Sequence, residues 1–406
     1  MSFRISLSGM NAATSDLNVT SNNIANSNTT GFKQSRAEFA DVFPASAYGL
    51  SRNAIGAGVK LAQVAQQFDQ GNVEFSGKAL DLALSGQGFF TLSNNGATVY
   101  SRAGNFGADS DGYVVNPAGQ RLQVFPPHAS GTGFDTGRLG DLQLAIGDAP
   151  PKATSRIDVG TNLPADATAP AVTPFDANDP TTYNNTTSLT VYDSLGAAHT
   201  QSLHFVKTAN VNEWEVYTSI DGTLAGPPTA LQYTDTGALQ SPSPGSFPMP
   251  SFDPGNGAAP MALTMDLTGS TQYGNKFGIS SLVQDGHATG RLTGIEVSAE
   301  GVVSARYTNG VATPLGQVAL TNFANPQGLQ SLGDNGWAET SESGNPRIGM
   351  AGSSEFGLVQ GGALEASNVN LTEQLVNMIT AQRNFQANAQ MISTQDQITQ
   401  TVINIR

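Results

Sequence analysis

The two ends of this chain carry the same apolar spacing, and that spacing limits what the rest can be. Phe3, Met10, Leu17 and Ile24 recur every seven residues, with Leu7 between them. At the other end Leu371, Met378, Phe385 and Ile392 repeat the interval, and Leu375 fills an intervening position. Met391, Ile398 and Ile405 carry that stripe onward one residue out of phase, with Val402 in the last row. A seven-residue apolar repeat predicts a long helix with a narrow stripe. No Pro or Gly interrupts the C-terminal stretch, and Asn370 followed by Glu373 is an Asn variant of the capping box. Asn26-Ser27-Asn28-Thr29-Thr30-Gly31 stops the N-terminal helix.

Narrow stripes need cover. The simplest cover for each is the other, or a copy on a neighbouring molecule; the pattern also allows a helical hairpin packed on the body of a monomer. The remaining helix faces are mostly Asn, Gln, Ser and Thr, and from Leu371 to Ile405 only Glu373, Arg383 and Asp396 are charged. Solvated faces usually carry more charge, so these read as packed on polar neighbours or lining a neutral passage. The residues expected to carry assembly, by packing rather than chemistry, are Phe3, Leu7, Met10, Leu17, Ile24, Leu371, Leu375, Met378, Phe385, Ile392, Ile398 and Val402.

A chain of 406 residues has room for two to four units. Its net charge of −14, with no basic cluster, argues against nucleic acid and anionic membrane as partners. The absence of cysteine excludes disulfides, thiolate metal sites and thiol catalysis. No apolar run is long enough for a membrane span, and the N-terminus lacks the pattern of a cleaved secretory signal. The chain is therefore expected to stay inside or to leave by a route that reads no cleaved peptide.

Residues 31–70 read as an extended, irregular connector through Tyr48 and Gly56-Ala57-Gly58; Leu61 stands where a phosphate loop needs its third glycine. From Asn72 the period changes to two. Leu80 to Phe90 reads as a strand broken at Gly86-Gln87-Gly88, and Asn95-Gly96 as the turn of a hairpin. Asp109-Ser110-Asp111-Gly112 imitates part of a calcium loop, but Gly107 and Ala118 occupy its first and twelfth positions, so it reads as a turn. From Gly147 to Asn185, Pro, Thr, Asn and Ala dominate. Strands then resume at 188–192, 201–206, 213–220 and 261–267, and a third set of hairpins runs from about Gly290 to Leu320.

The third set resembles 91–115 in spacing, as one domain split by an insertion would. The expected fold is mainly β with a terminal α-helical coiled coil, nested so that the chain leaves and returns through the same layers. Its parts are residues 1–30 with 364–406 as the helical domain, the 31–70 connector, 71–146 with 286–363 as a split β domain, and 147–285 as an inserted outer β domain.

Chemistry is poorly supported. His128, His199, His204 and His287 are scattered, no nucleophile elbow accompanies them, and no carboxylate pair stands out by context. A secreted hydrolase on a β scaffold is the remote alternative; no catalytic residue, cofactor or metal is expected.

Three blocks carry a family resemblance. They are Asn22-Asn23-Ile24-Ala25-Asn26 with Thr30-Gly31-Phe32-Lys33; Leu80 to Phe90 with Arg102-Ala103-Gly104-Asn105-Phe106; and Gly362-Ala363-Leu364-Glu365-Ala366-Ser367-Asn368-Val369 with Ala381-Gln382-Arg383. In these the chain resembles the bacterial flagellar rod, hook and junction proteins. Asn370 stands where most relatives carry Asp. Chain length, Asn322 to Leu329 and Trp337-Ala338-Glu339-Thr340 look like the hook version, with a distal rod or hook–filament junction protein as the alternative. The resemblance implies uncleaved export through the flagellar type III channel, an extracellular place in the hook, and polymerisation under a cap into a curved tube that passes torque from rod to filament. Implied partners are copies of itself, the distal rod protein, the hook cap protein, the hook–filament junction protein and the export apparatus. It also implies a division of labour: helices inside, split β domain around them, inserted domain sliding outside, with hinges near Gly147, Asp285 and the 31–70 connector.

Overall fold

Asn370 ends an extended passage and starts a helix. Its side-chain oxygen accepts hydrogen bonds from the backbone N–H of Thr372 at 3.1 Å and Glu373 at 3.4 Å, which satisfies two donors that the first turn leaves open. The computed structural model, which describes residues 2–43, 56–128, 133–144, 147–353 and 355–404, forms α1 over Ser2–Ala25 and α2 over Leu371–Asn404. Tyr48 and Ile405 lie outside the described residues. After α1 the chain turns at Gly31, whose φ of +69° suits glycine, and a Cβ there would stand 2.5 Å from the backbone nitrogen of Ala103.

The described parts of the connector form a regular ribbon. β1 (Ser35–Asp41) and β2 (Val59–Gln66) pair antiparallel, with Ala37 opposite Val64 and Phe39 opposite Leu61. A register shift between Glu38 and Phe39 breaks the period-two pattern, which is why the sequence does not announce the second strand. The ribbon is fastened to α1: Val59 N–H donates to Ser8 Oγ at 3.2 Å and Ser35 N–H to Asn23 Oδ1 at 2.9 Å.

The chain forms two units, Met1–Ile146 with Gly294–Ala305 and Ala312–Arg406, and Gly147–Thr293 with Arg306–Val311. In the first, strand Phe89–Asn94 turns through Asn95 (φ 52°) and Gly96 (φ 95°) into Ala97–Ser101. Strand Ala312–Asn322 comes from beyond the insertion and pairs with both Phe89–Asn94 and Arg121–Phe125. The core it completes contains Leu82, Phe90, Leu122, Val318 and Leu320, all essentially buried. Asp109 caps the Asp111-Gly112 turn by accepting from Asp111 and Tyr113 N–H.

In the second unit a six-stranded antiparallel sheet, which includes Ala198–Lys207 and Glu213–Ile220, faces a five-stranded mixed sheet. The latter is built on Arg156–Pro164, a strand absent from the sequence reading. Thr161, Asn162 and Pro164 dilute its strand signal, yet Ile157, Val159 and Leu163 are buried with Phe205, Trp214 and Met265. The passages at Lys152–Arg156 and Asp285–Gly290 are laced together. Asp285 accepts from Ser155 and Arg156 N–H at 2.8 and 2.9 Å and from Lys152 Nζ at 2.9 Å, and Lys152 pairs with His287. Burial alone raises the Asp285 pKa, but these donors hold it well below the usual carboxylate range.

Two histidines on one strand act with opposite sign. His199 bridges Asp221 at 2.7 Å and the buried Asp193 at 3.3 Å, and Asn256 also donates to Asp193, at 2.6 Å. Burial lowers the His199 pKa and the two carboxylates more than reverse it, so the net shift is upward. Its stabilisation is complete below the ordinary pKa of 6.5 and is lost as pH rises through the raised value. Burial lowers the pKa of His204, so it destabilises the unit as pH falls below 6.5. From these two rings the stability of the second unit peaks near pH 6.5. Urea unfolding followed by Trp214 fluorescence will show this peak, and His199→Gln will flatten its alkaline side; an unchanged alkaline side refutes the assignment.

Candidate assembly surface

The two helices meet along faces whose fully buried positions are small or polar. On α1 the buried positions are Ser6, Ala13, Thr20 and Asn23, and on α2 they are Gln374 and Ala381. Asn23 Nδ2 donates to Gln374 Oε1 at 3.2 Å, and a Cβ on Gly9 would fall 2.5 Å from Asn388 Oδ1. Gly9 thus leaves room for the Asn388 side chain between the helices.

The predicted seam residues divide into two sets. Phe3, Leu7, Leu371, Leu375, Ile398 and Val402 are exposed, whereas Met10, Leu17, Ile24, Met378, Phe385 and Ile392 are half-buried along the helix contact. Within the chain each stripe is covered only in part. Val376, Ile379, Met391 and Ile403 add to the exposed set, each at least half accessible. Spacing around Leu375 could have revealed Ile379, four residues on, because residues three or four apart share a helix face. An apolar row of this length needs a partner.

The roots of both helices converge on a buried ion cluster that the sequence reading did not assemble. Lys33 Nζ donates to Glu365 Oε1 at 2.6 Å and to the Asp69 carbonyl at 2.7 Å; Gly71 N–H donates to the same Glu365 oxygen at 2.9 Å. Arg102 Nη1 lies 3.3 Å from Glu365 Oε2, and its Nη2 donates to the Gly86 carbonyl at 2.8 Å. The Lys33 and Glu365 side chains are wholly inaccessible and Arg102 nearly so. Burial pushes the Lys33 and Arg102 pKa values down, with Glu365 opposing. Nearby, Gln34 N–H donates to Asn368 Oδ1 at 2.8 Å. Each of the three sequence blocks supplies one member of the cluster. In a chain with only 12% charged residues that coincidence was the available signal.

Among the described residues no group of acidic or histidine side chains has metal-ligand geometry, and no helix is long and apolar enough to cross a membrane. A chain that ties its two ends together through small residues and turns their apolar faces outward is a subunit of an axial polymer.

Comparison with known proteins gives the same class. Residues 3–33 match the flagella basal body rod protein model, 83–173 the flagellar hook protein FlgE/F/G D1 domain, 162–287 the flagellar basal body protein FlaE D2 domain, and 360–405 the flagellar basal body rod FlgEFG protein C-terminal model. The flagellar hook proteins FlgE of Salmonella typhimurium and of Escherichia coli K12 are each 40% identical to the chain across the whole of both sequences. That of Borreliella burgdorferi is 33% identical over 98% of each. The crystal structure of Helicobacter pylori flagellar hook protein FlgE2 shares the fold, with a TM-score of 0.54 over 72% of this chain and 100% of that one, at 17% identity. The chain belongs to the flagellar hook protein family, FlgE. It is a structural subunit of the hook, not an enzyme.

Proposed function

We propose that this subunit polymerises into a curved tube that works as a universal joint, bending on every revolution while it carries torque from rod to filament. The observation that carries this is the row of exposed apolar residues on α2. Copies packed around a common axis would bury it, and assembly then rests on Phe3, Leu7, Leu371, Leu375, Ile398 and Val402, with Met10, Leu17, Ile24, Met378, Phe385 and Ile392 at the flanks. Helices inside, split β domain around them and inserted domain outside is the arrangement this reading requires. The distal rod protein, hook cap protein, hook–filament junction protein and uncleaved passage through the type III export apparatus belong to the same reading.

Phe385→Asp should block polymer formation while both β units stay folded, as read by electron microscopy under polymerising salt and by circular dichroism of the soluble protein. Tubes of wild-type length from this variant would refute the seam. Straight tubes from the wild-type chain would favour a rod role over a hook.

A further inference from the structure

The outward face of α2 carries one side chain with a chemistry of its own. Met391 stands seven residues before Ile398 and eleven before Val402, which places the three on one helix face, and each is more than half accessible. Among the described residues it is the most accessible methionine, at 57% against 39% for Met350. Met10 and Met378 are half-buried, while Met249, Met261 and Met265 are closed inside the second unit.

The chain has no cysteine, so an oxidant meets no thiol and the thioethers are its softest targets. Access then decides which of them reacts first, and Met391 leads. Oxidation turns a flexible apolar side chain into a polar one. The sulfoxide oxygen keeps its hydrogen bonds while it faces water and loses them when covered, because Ile398 and Val402 beside it carry no donor. The fold of the single chain is indifferent to the change, since this side chain belongs to none of the buried cores. The cost arises only where a second surface covers the face.

We propose that Met391 is a site of reversible oxidation by peroxide that admits only reduced subunits to the polymer: the free chain is oxidised there and excluded, and the assembled chain is shielded. The inference rests on the polymer reading above. In the oxidation a lone pair of the Met391 sulfur attacks the terminal oxygen of a hydroperoxide, the S–O bond forms and the O–O bond breaks. The sulfur loses two electrons, and hydrogen peroxide is reduced to water. The reverse step, by a methionine sulfoxide reductase, takes the oxygen off as water while a dithiol is oxidised to a disulfide.

The test exposes the soluble full-length chain and the polymer to the same dose of hydrogen peroxide and maps the oxidised residues by mass spectrometry. Met391 should gain one oxygen atom rapidly in the soluble chain and about tenfold more slowly in the polymer. The oxidised soluble chain should need about ten times the protein concentration of the untreated chain to polymerise, because each contact then takes an unpaired polar group out of water. Methionine sulfoxide reductases of both epimer specificities, with dithiothreitol, should restore it. Met391→Leu should polymerise like wild type before and after peroxide, which separates this sulfur from those of Met10 and Met378. Equal oxidation of Met391 in polymer and solution overturns the proposal, as does an oxidised chain that polymerises like the untreated one or a Met391→Leu chain that peroxide still inhibits. Failure of the untreated wild-type chain to polymerise at all overturns the polymer reading, and this site with it.

Discussion

Glu365→Ala should unfold the first unit at a much lower urea concentration than wild type while the second unit unfolds unchanged. Glu365 is the one carboxylate in contact with both buried cations, and it also accepts the Gly71 N–H. Its removal leaves the ammonium of Lys33 and the guanidinium of Arg102 in a dry site with backbone carbonyls as their remaining partners. Removing one member of a buried ion pair typically costs about 3–5 kcal/mol, because the charge left behind has lost both water and counterion. The chain supplies its own reporters, since its two tryptophans are divided between the units. Trp337 is buried with Phe89 and Tyr100 in the first, and Trp214 lies in the core of the second. Fluorescence of single-tryptophan variants will separate the two transitions. Glu365→Gln keeps the shape and an acceptor but not the charge and should fall between. A Trp337 transition that does not move in Glu365→Ala would mean that the cluster is structurally idle.

The second large effect is expected at Ile379. This side chain is half accessible on the outward face of α2. Ile379→Asp should change the stability of the soluble chain by no more than about 0.5 kcal/mol, as surface substitutions usually do, and should nevertheless abolish polymerisation. A carboxylate there would have to be desolvated in every subunit contact. Ala381→Asp, two residues away on the buried face, should have the converse signature and destabilise the helix contact in the isolated chain. Sedimentation under polymerising salt, paired with amide exchange across α1 and α2, reads both. If Ile379→Asp still polymerises while its soluble form is intact, the outward row is not the contact between copies.

The contrast between these two positions shows how far the residues alone could lead. The seven-residue interval revealed both helices and their ends, because periodicity and capping are local. It did not say which of those residues are covered within the chain: hydrophobicity marks the side that wants burial but cannot distinguish burial by the same chain from burial by another. The contact within the chain falls to Gly9, Ala13 and Ala381, whose smallness permits close approach, and small residues give no hydropathy signal. The hairpin at Asn95-Gly96 was legible from turn chemistry. Strand Arg156–Pro164 was not, since a central strand in a mixed sheet is defined by its neighbours and this one ends in residues that usually mark loops. The Lys33–Glu365–Arg102 cluster was out of reach for another reason: its members meet only after the ends have returned past the insertion.

The pairing of strand Ala312–Asn322 with both Phe89–Asn94 and Arg121–Phe125 sets a timetable. When the N-terminus emerges first, the two early strands can already pair with each other, but their shared sheet keeps an open edge until everything in 126–311 has followed them out. The inserted unit has its own core and sheets, so it can mature while that edge is still open. The host unit then closes last, and the return of the late strand is what permits the two ends to find each other.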